Sequence, residues 1–256
     1  MLDIQERYMT DLAAISTTPT EFGDKGFIKE DIIVYNNFLT QDECERLVAF
    51  MDDEDQPWSM SAFFESYGMS IMPEDPILEK YGFERDYFAK LADRLQKSVE
   101  DAHQRPVKSV SSHAQKWQEG AFAPFHSDNT DMDGNPSAWE KSKLVCLLYL
   151  NDNYEGGDLD FRDHDISIKP VSGQLITFPG GINNVHQVIP VKGATRHTIG
   201  AFWDYKESEY SAERMAEWDA EIEKVREQQK EMQAEWKEQL DNGQHPLENG
   251  GNTGGY

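Results

Sequence analysis

Seven histidines occur in the chain, and only His126 has a carboxylate two positions later, Asp128. On a β-strand, residues i and i+2 point to the same face, so an imidazole nitrogen and a carboxylate oxygen there can converge on one ion. With 48 acidic residues in 256 such a pair arises readily by chance, and its context decides what it means. His126 ends the run Gln118-Glu119-Gly120-Ala121-Phe122-Ala123-Pro124-Phe125, which reads as a turn leading into a short extended segment. His186 follows 58 residues after Asp128, in the apolar run Val185 to Val191. Two neutral imidazoles and one carboxylate on one face of an ion leave adjacent coordination positions open, an arrangement associated with iron(II) oxygenases. Zinc accepts the same ligands, but a catalytic zinc site usually stays four-coordinate with one open position. Three open positions suit a bidentate 2-oxo acid plus O₂.

Arg196, ten residues after His186, opens the next strand-like run. A guanidinium is planar and always charged, and it clamps a carboxylate through two parallel hydrogen bonds. Thr198, at i+2 on the same face, can add a hydroxyl donor, and Tyr149, in the apolar run Leu144 to Leu150, can add a phenol. A buried arginine lacking an anionic ligand would need an internal partner.

These residues need a scaffold that brings distant segments side by side. From Val110 to Tyr205 short apolar or alternating runs are separated by Gly, Pro, Asn and Asp clusters: Lys143 to Leu150, Asp158 to Phe161, Ile166 to Lys169, Gln174 to Phe178, Val185 to Val191 and Arg196 to Tyr205. Short strands at close spacing predict a double-sheet jelly roll or barrel. Ahead of it, Asp31 to Phe38 reads as a strand. Thr40 with Glu43 makes a capping box for a helix running to Met51, with Cys44, Leu47, Val48 and Met51 on its buried stripe. A second helix is expected over Asp75 to His103, burying Leu78, Tyr81, Tyr87, Phe88, Leu91, Leu95 and Val99.

At the ends, residues 1–30 are expected to be a short helix followed by a loop over Ser16 to Gly26. Residues 206–241 read as a charged C-terminal helix, whose segment Glu207 to Leu240 holds 11 acidic against 5 basic residues. Met215, Trp218, Ile222 and Val225 give it one apolar stripe, enough for packing on the barrel and too little to argue a coiled coil. Residues 242–256 are Gly- and Asn-rich and expected to be disordered.

The net charge of −24 disfavours phosphate backbones and anionic membranes, so neither nucleic acid nor a lipid surface is an expected partner. It favours basic partners, and equally confers solubility. Mean hydropathy is −0.72, and no run approaches a membrane-spanning length. Met1 to Ala14 lacks an apolar signal core. Cys44 and Cys146 are too few for a disulfide framework, and a reducing cytoplasm is the expected location.

The ordered array Trp117-x-x-Gly120, His126-x-Asp128, Tyr149-Leu150-Asn151, Gly156-Gly157-x-Leu159, Pro170-x-x-Gly173, Phe178-Pro179, His186-x-Val188-x-Pro190-Val191 and Arg196 resembles the catalytic domain of prolyl 4-hydroxylases. Phe38-Leu39-Thr40-x-x-Glu43-Cys44 is similar to that domain's opening, so the resemblance covers roughly Asp31 to Tyr205. It implies an α+β fold, a double-stranded β-helix with supporting helices, occupying residues 31–205. It implies His126, Asp128 and His186 as metal ligands and catalytic residues, with Arg196, Tyr149 and Thr198 around the co-substrate. It further implies iron(II), 2-oxoglutarate and O₂, with ascorbate as an accompanying cofactor, and a peptide or protein substrate. The chemistry it implies is loss of CO₂ from the oxo acid to give succinate, coupled to hydroxylation of a substrate carbon, the cofactor supplying the hard step. The sequence departs from many relatives at Trp117, where they carry Tyr, and at Gly200, where they often carry Thr.

The other histidines have bland readings. His103 and His113 are expected at the surface or in packing, His164 in a solvated turn, His197 on the face opposite Arg196, and His245 in the tail. Trp58, Phe63, Phe64 and Tyr67 read as either a mobile substrate lid or a loop packed on the barrel. Asn129 to Ser142, directly after the metal pair, is placed to border substrate. At this level a prolyl hydroxylase, the same chemistry on another residue or a small molecule, and a silent jelly-roll binding module stay open. A zinc hydrolase would leave Arg196 without a role.

Overall fold

In the computed structural model two antiparallel sheets face each other, with helices on the outside of the larger one. The structure describes residues 10, 12, 15–60, 67–70 and 78–241. The strands are β1 (Thr17–Thr20), β2 (Gly23–Phe27), β3 (Ile33–Asn36), β4 (Ser59–Met60), β5 (Tyr67–Ser70), β6 (Val107–Trp117), β7 (Ala123–His126), β8 (Leu144–Tyr149), β9 (Leu159–Phe161), β10 (Ile166–Ile168), β11 (Leu175–Pro179), β12 (His186–Val188) and β13 (Arg196–Tyr205). The helices are α1 (Gln41–Met51), α2 (Tyr87–His103) and α3 (Ala212–Asp241). The major sheet runs β1-β2-β3-β11-β8-β13-β6-β5-β4 and the minor sheet β10-β9-β12-β7. This is the expected double-stranded β-helix with supporting helices.

The period-2 alternation of β8 explains why the major sheet sits between two cores. Leu144, Cys146, Leu148 and Leu150 point toward α1 and α2, where they meet Leu47, Phe50, Leu91, Leu95 and Trp203. Val145 and Tyr149 point the other way, into the space between the sheets, with Val34, Leu159, Phe161, Ile168, Ile176 and Phe178. Each fully buried Leu or Phe in these layers contributes roughly 1.5–3 kcal/mol. α1 opens on the predicted capping box: Glu43 N donates to Thr40 Oγ1 and Thr40 N donates to Glu43 Oε2.

Several expectations change. Ser16 to Gly26 is not a loop; β1 and β2 form a hairpin that extends the major sheet through β3. Its sequence is polar with Pro19 and two glycines, so it carries no hydrophobic alternation, and its order comes from backbone pairing. The helix expected before it falls largely outside the described residues, as do the tail 242–256 and Phe63 and Phe64 of the expected lid. Trp58 is fixed instead of mobile: its Nε1 donates to Met51 O at 3.0 Å, and Lys116 sits over its ring. The helix expected from Asp75 starts only at Tyr87; Leu78–Tyr81 is a 3₁₀ turn, broken from α2 at Gly82, which takes φ +75°. α3 starts at Ala212, and its first turns rest on the loop after Asp128. Trp218 Nε1 donates to Ala138 O, Arg214 pairs with Glu140 at 3.1 Å, and Lys141 lies 3.6 Å from the Trp218 ring centroid. Among the described residues no helix is long and apolar enough to cross a membrane.

Candidate metal and co-substrate site

The minor sheet brings the two histidines together. β7 and β12 pair antiparallel with His126 directly opposite His186. Asp128 lies just past the end of β7, not on a continuing strand as the i, i+2 reading had it. Its place is fixed by its backbone N–H, which donates to Gly180 O at 2.9 Å. A ligand atom from each of the three side chains falls within 4.8 Å of the others. His126 Nε2 is 3.9 Å from Asp128 Oδ1, and His186 Nε2 is 3.7 Å from Asp128 Oδ2.

Both imidazoles are oriented by the same device. His126 Nδ1 is 2.8 Å from Pro124 O and His186 Nδ1 is 2.9 Å from Asn184 O, each carbonyl two residues back. A carbonyl only accepts, so Nδ1 carries the proton and the Nε2 lone pair faces the gap, the usual support for a metal-binding histidine. Phe161 and Phe178 wall His186, with Phe178 4.9 Å away edge to face. Burial brings the pKa values of His126 and His186 down to about 4 and pushes that of Asp128 up to about 6. The imidazoles are therefore neutral ligands at neutral pH. Asp128 Oδ2 is buried without a hydrogen-bond partner among the described residues. Two neutral nitrogens and an unsatisfied carboxylate oxygen fit a divalent ion of the iron(II) type.

The major sheet builds the second half. Arg196, first residue of β13, stands across from Trp117, last residue of β6. It is 1% exposed, has no carboxylate within ion-pair distance among the described residues, and its Nε is unpartnered. Its guanidinium carbon lies 5.0 Å from the ring centroids of both Trp117 and Tyr149. A cation held in an aromatic slot, which feels Asp158 at longer range but forms no ion pair among the described residues, fits a carboxylate-bearing ligand. The Tyr149 hydroxyl is buried against the same guanidinium, also without a well-formed hydrogen bond among the described residues. Thr198 does not stand free as a hydroxyl donor: it accepts from Trp117 Nε1 at 3.2 Å and points its one hydrogen at Gln115 Oε1, 3.4 Å away. Thr198 thus steadies Trp117, and through it the wall behind Arg196.

Sequence reasoning missed Tyr154. It is 5% exposed, its hydroxyl lies against the Arg196 guanidinium without a well-formed hydrogen bond among the described residues, and it joins Trp117 and Ala121 in the cluster beside Arg196. Lys169 Nζ fastens the loop that carries it, donating to Tyr154 O at 2.9 Å and Gly156 O at 2.7 Å. The signal was the double glycine. Gly157 takes φ +65°, and a Cβ there would lie 2.7 Å from Tyr154 Cε2 and 3.0 Å from Arg196 Cδ.

Among the described residues, the remaining histidines make packing and hydrogen-bond contacts away from the triad. His197 turns away from Arg196 and meets Asp52 at 3.0 Å. His103 reaches Thr177 Oγ1 at 3.0 Å, and His113 stacks on Phe202. His164 is half-buried against Asn184 Oδ1 at 2.9 Å, not solvated.

With this geometry in place, residues 112–204 match the 2OG-Fe(II) oxygenase superfamily. Prolyl 3-hydroxylase 2 of Rattus norvegicus is 35% identical over 92 residues, covering 31% of this chain and 13% of that protein. The PKHD-type hydroxylase Smlt1146 of Stenotrophomonas maltophilia is 28% identical over 127 residues, 47% of this chain and 55% of that one. In fold, a Pseudomonas putida prolyl-4-hydroxylase superposes with a TM-score of 0.54 at 20% identity, over 69% of this chain and 93% of that one. Residues 112–204 therefore belong to the 2OG-Fe(II) oxygenase superfamily. The chain spans about an eighth of the length of the mammalian relatives it matches.

Proposed function

We propose that the chain is an iron(II)- and 2-oxoglutarate-dependent dioxygenase whose metal ligands are His126, Asp128 and His186. In this reading residues 31–205 are the catalytic domain and α3 is an appendage. The observation that carries it is Arg196, a fully buried guanidinium without an anionic partner among the described residues, in the fold that also gathers the triad. A zinc hydrolase has no use for that cation; a 2-oxo dicarboxylate has. When bound, iron and 2-oxoglutarate supply the oxidation of a substrate C–H bond by O₂, with release of succinate and CO₂. The protein's part is placement. Pro124 O and Asn184 O hold the two imidazoles with Nε2 inward, and Gly180 O fixes the backbone of Asp128. Arg196 receives the distal carboxylate of the co-substrate, and Tyr149 donates its phenol to the same group. Phe161 and Phe178 keep water away from the ligand cluster.

The substrate we propose is a prolyl residue in a basic peptide or protein segment. The matched relatives named as prolyl hydroxylases support the residue type. The net charge of −24 supports the basic context, because it draws cationic chains and speeds encounter at low salt. The loop 129–142 that follows Asp128 is placed to border such a chain. Two buried thiols, Cys44 and Cys146, suit a reducing cytoplasm. The deciding experiment has two stages. Anaerobic addition of iron(II) and 2-oxoglutarate should produce a weak visible charge-transfer band; its absence overturns the oxygenase reading. Proline-containing peptides, basic and acidic, are then incubated with O₂ and analysed by mass spectrometry. Added oxygen on proline, falling with salt, supports the substrate, whereas oxygen only on another residue or a free metabolite overturns that part alone.

A further inference from the structure

We propose that Tyr154 is a co-substrate-positioning residue, which donates its phenol to the distal carboxylate of 2-oxoglutarate beside Arg196 and Tyr149; this rests on the oxygenase reading above. Four polar atoms that are buried and without a hydrogen bond among the described residues belong to this one cluster: Arg196 Nε, the Tyr149 hydroxyl, the Tyr154 hydroxyl and Asp158 Oδ1, whose charge acts on the other three groups. Leaving a buried donor unsatisfied costs about 1–3 kcal/mol each, so phenylalanine would be the cheaper residue at 154 if packing were its only task. Three of the four atoms are donors and Asp158 Oδ1 bonds to none of them, and a carboxylate is the group that accepts several donors at once.

Two features of the chain focus Tyr154 on this spot. Gly157 has no Cβ, and the space a Cβ would take is filled by the Tyr154 ring edge and the Arg196 stem, so phenol and guanidinium are packed side by side. Lys169 holds the backbone on either side of Glu155, which prevents the tyrosine from swinging out. A third feature explains why an extra phenol is useful. Trp117, across from Arg196, directs its only polar hydrogen to Thr198 Oγ1 at 3.2 Å and has nothing left for a ligand. Tyr154 reaches the same cluster from the loop after β8 and supplies the hydrogen that Trp117 withholds.

The test is isothermal titration calorimetry under argon on the iron(II)-loaded full chain, with two probes. 2-Oxoglutarate chelates the metal and carries the distal carboxylate; oxalate chelates the metal and ends there. Tyr154→Phe should weaken 2-oxoglutarate binding about ten-fold, one hydrogen bond to a charged group, and leave oxalate binding unchanged. The variant should also unfold at the same temperature as the parent, or slightly higher. Unchanged 2-oxoglutarate affinity overturns the proposal, and so does an equal loss for both probes, which marks a distorted site. If the parent chain binds oxalate but not 2-oxoglutarate, the oxygenase reading falls and this proposal falls with it.

Discussion

His126 and His186 stand directly opposite each other on neighbouring antiparallel strands, their ring centroids 4.4 Å apart. Each is tethered through Nδ1 to the carbonyl two residues before it. Two rings this close, both desolvated and both neutral, lose little on meeting a cation and gain a shared partner.

Metal should therefore stabilise the fold. At a hundred-fold excess over its dissociation constant, iron(II) under argon contributes about 2.7 kcal/mol. For a chain of this size that raises the unfolding midpoint by about 5–10 °C. In His186→Ala the rise should vanish and 2-oxoglutarate decarboxylation should stop, while the far-ultraviolet circular dichroism stays that of the parent. A metal-dependent rise that survives in the variant would remove His186 from the ligand set.

Arg196 predicts a trade between binding and stability. Arg196→Lys keeps the charge and loses the fork, so the affinity for 2-oxoglutarate should fall about ten- to a hundred-fold, the equivalent of roughly 1.5–3 kcal/mol. Arg196→Met should lose binding further, yet without ligand it should be at least as stable as the parent, because a buried cation that forms no ion pair among the described residues is replaced by a side chain that needs none. Denaturant unfolding of the ligand-free proteins, set beside calorimetric affinities, checks both. An Arg196→Met protein destabilised by several kcal/mol would mean that the guanidinium has an internal partner.

The glycines near the site should differ sharply. Gly157→Ala meets Tyr154 and Arg196 and forces φ +65° on a residue with a Cβ, for a cost of about 1–3 kcal/mol and a weaker hold on 2-oxoglutarate. Gly200→Ala meets nothing nearer than 3.7 Å and should be neutral in both assays. Equal behaviour of the two variants in thermal unfolding would contradict this account of the double glycine.

Acid should destabilise the metal-free protein in a defined window. Burial lowers the pKa of His113 to about 4, from an ordinary 6.5. Between those values the unfolded chain binds a proton that the native state refuses, so stability is full above about pH 6.5 and is lost as pH falls toward 4. His103 behaves alike, its imidazole also depressed by burial to about 4. Each such imidazole makes at most about 3 kcal/mol of stability pH dependent. His113→Gln should flatten the fall in unfolding midpoint between pH 7 and pH 5; a slope identical to the parent's would show that His113 is protonated in the native state.

The strands of the barrel were readable in the sequence where burial imposed a pattern. Leu144 to Tyr149 and Leu175 to Pro179 lie between two apolar layers and show as apolar runs, and His126, Asp128 and His186 stood out by the i, i+2 spacing of the first two and the place of the third in the run Val185 to Val191. β6 was less visible: Val107 to Trp117 is mostly Ser, Lys, Gln and His, and only Val107, Ala114 and Trp117 of it enter the apolar clusters, too few for an alternating pattern. Arg196 was found from its spacing, but that it is buried without an ion pair among the described residues is a tertiary fact. Tyr154 sits in a loop with no periodicity, and only folding reveals that its hydroxyl ends beside Arg196's cluster. Thr198 was placed on the correct face, yet its bond with Trp117 depends on a strand 81 residues away in the chain.

The grip of α3 on residues 137–141 has an evolutionary side. Trp218, Arg214 and Met215 hold Ala138, Glu140 and Lys141 of the loop that follows Asp128, while the metal ligands are anchored separately by Pro124, Asn184 and Gly180. Rim and centre thus answer to separate parts of the chain. Drift in a surface helix can reshape what the mouth admits without disturbing the atoms that do the chemistry, so a lineage carrying this helix can change diet while keeping its engine.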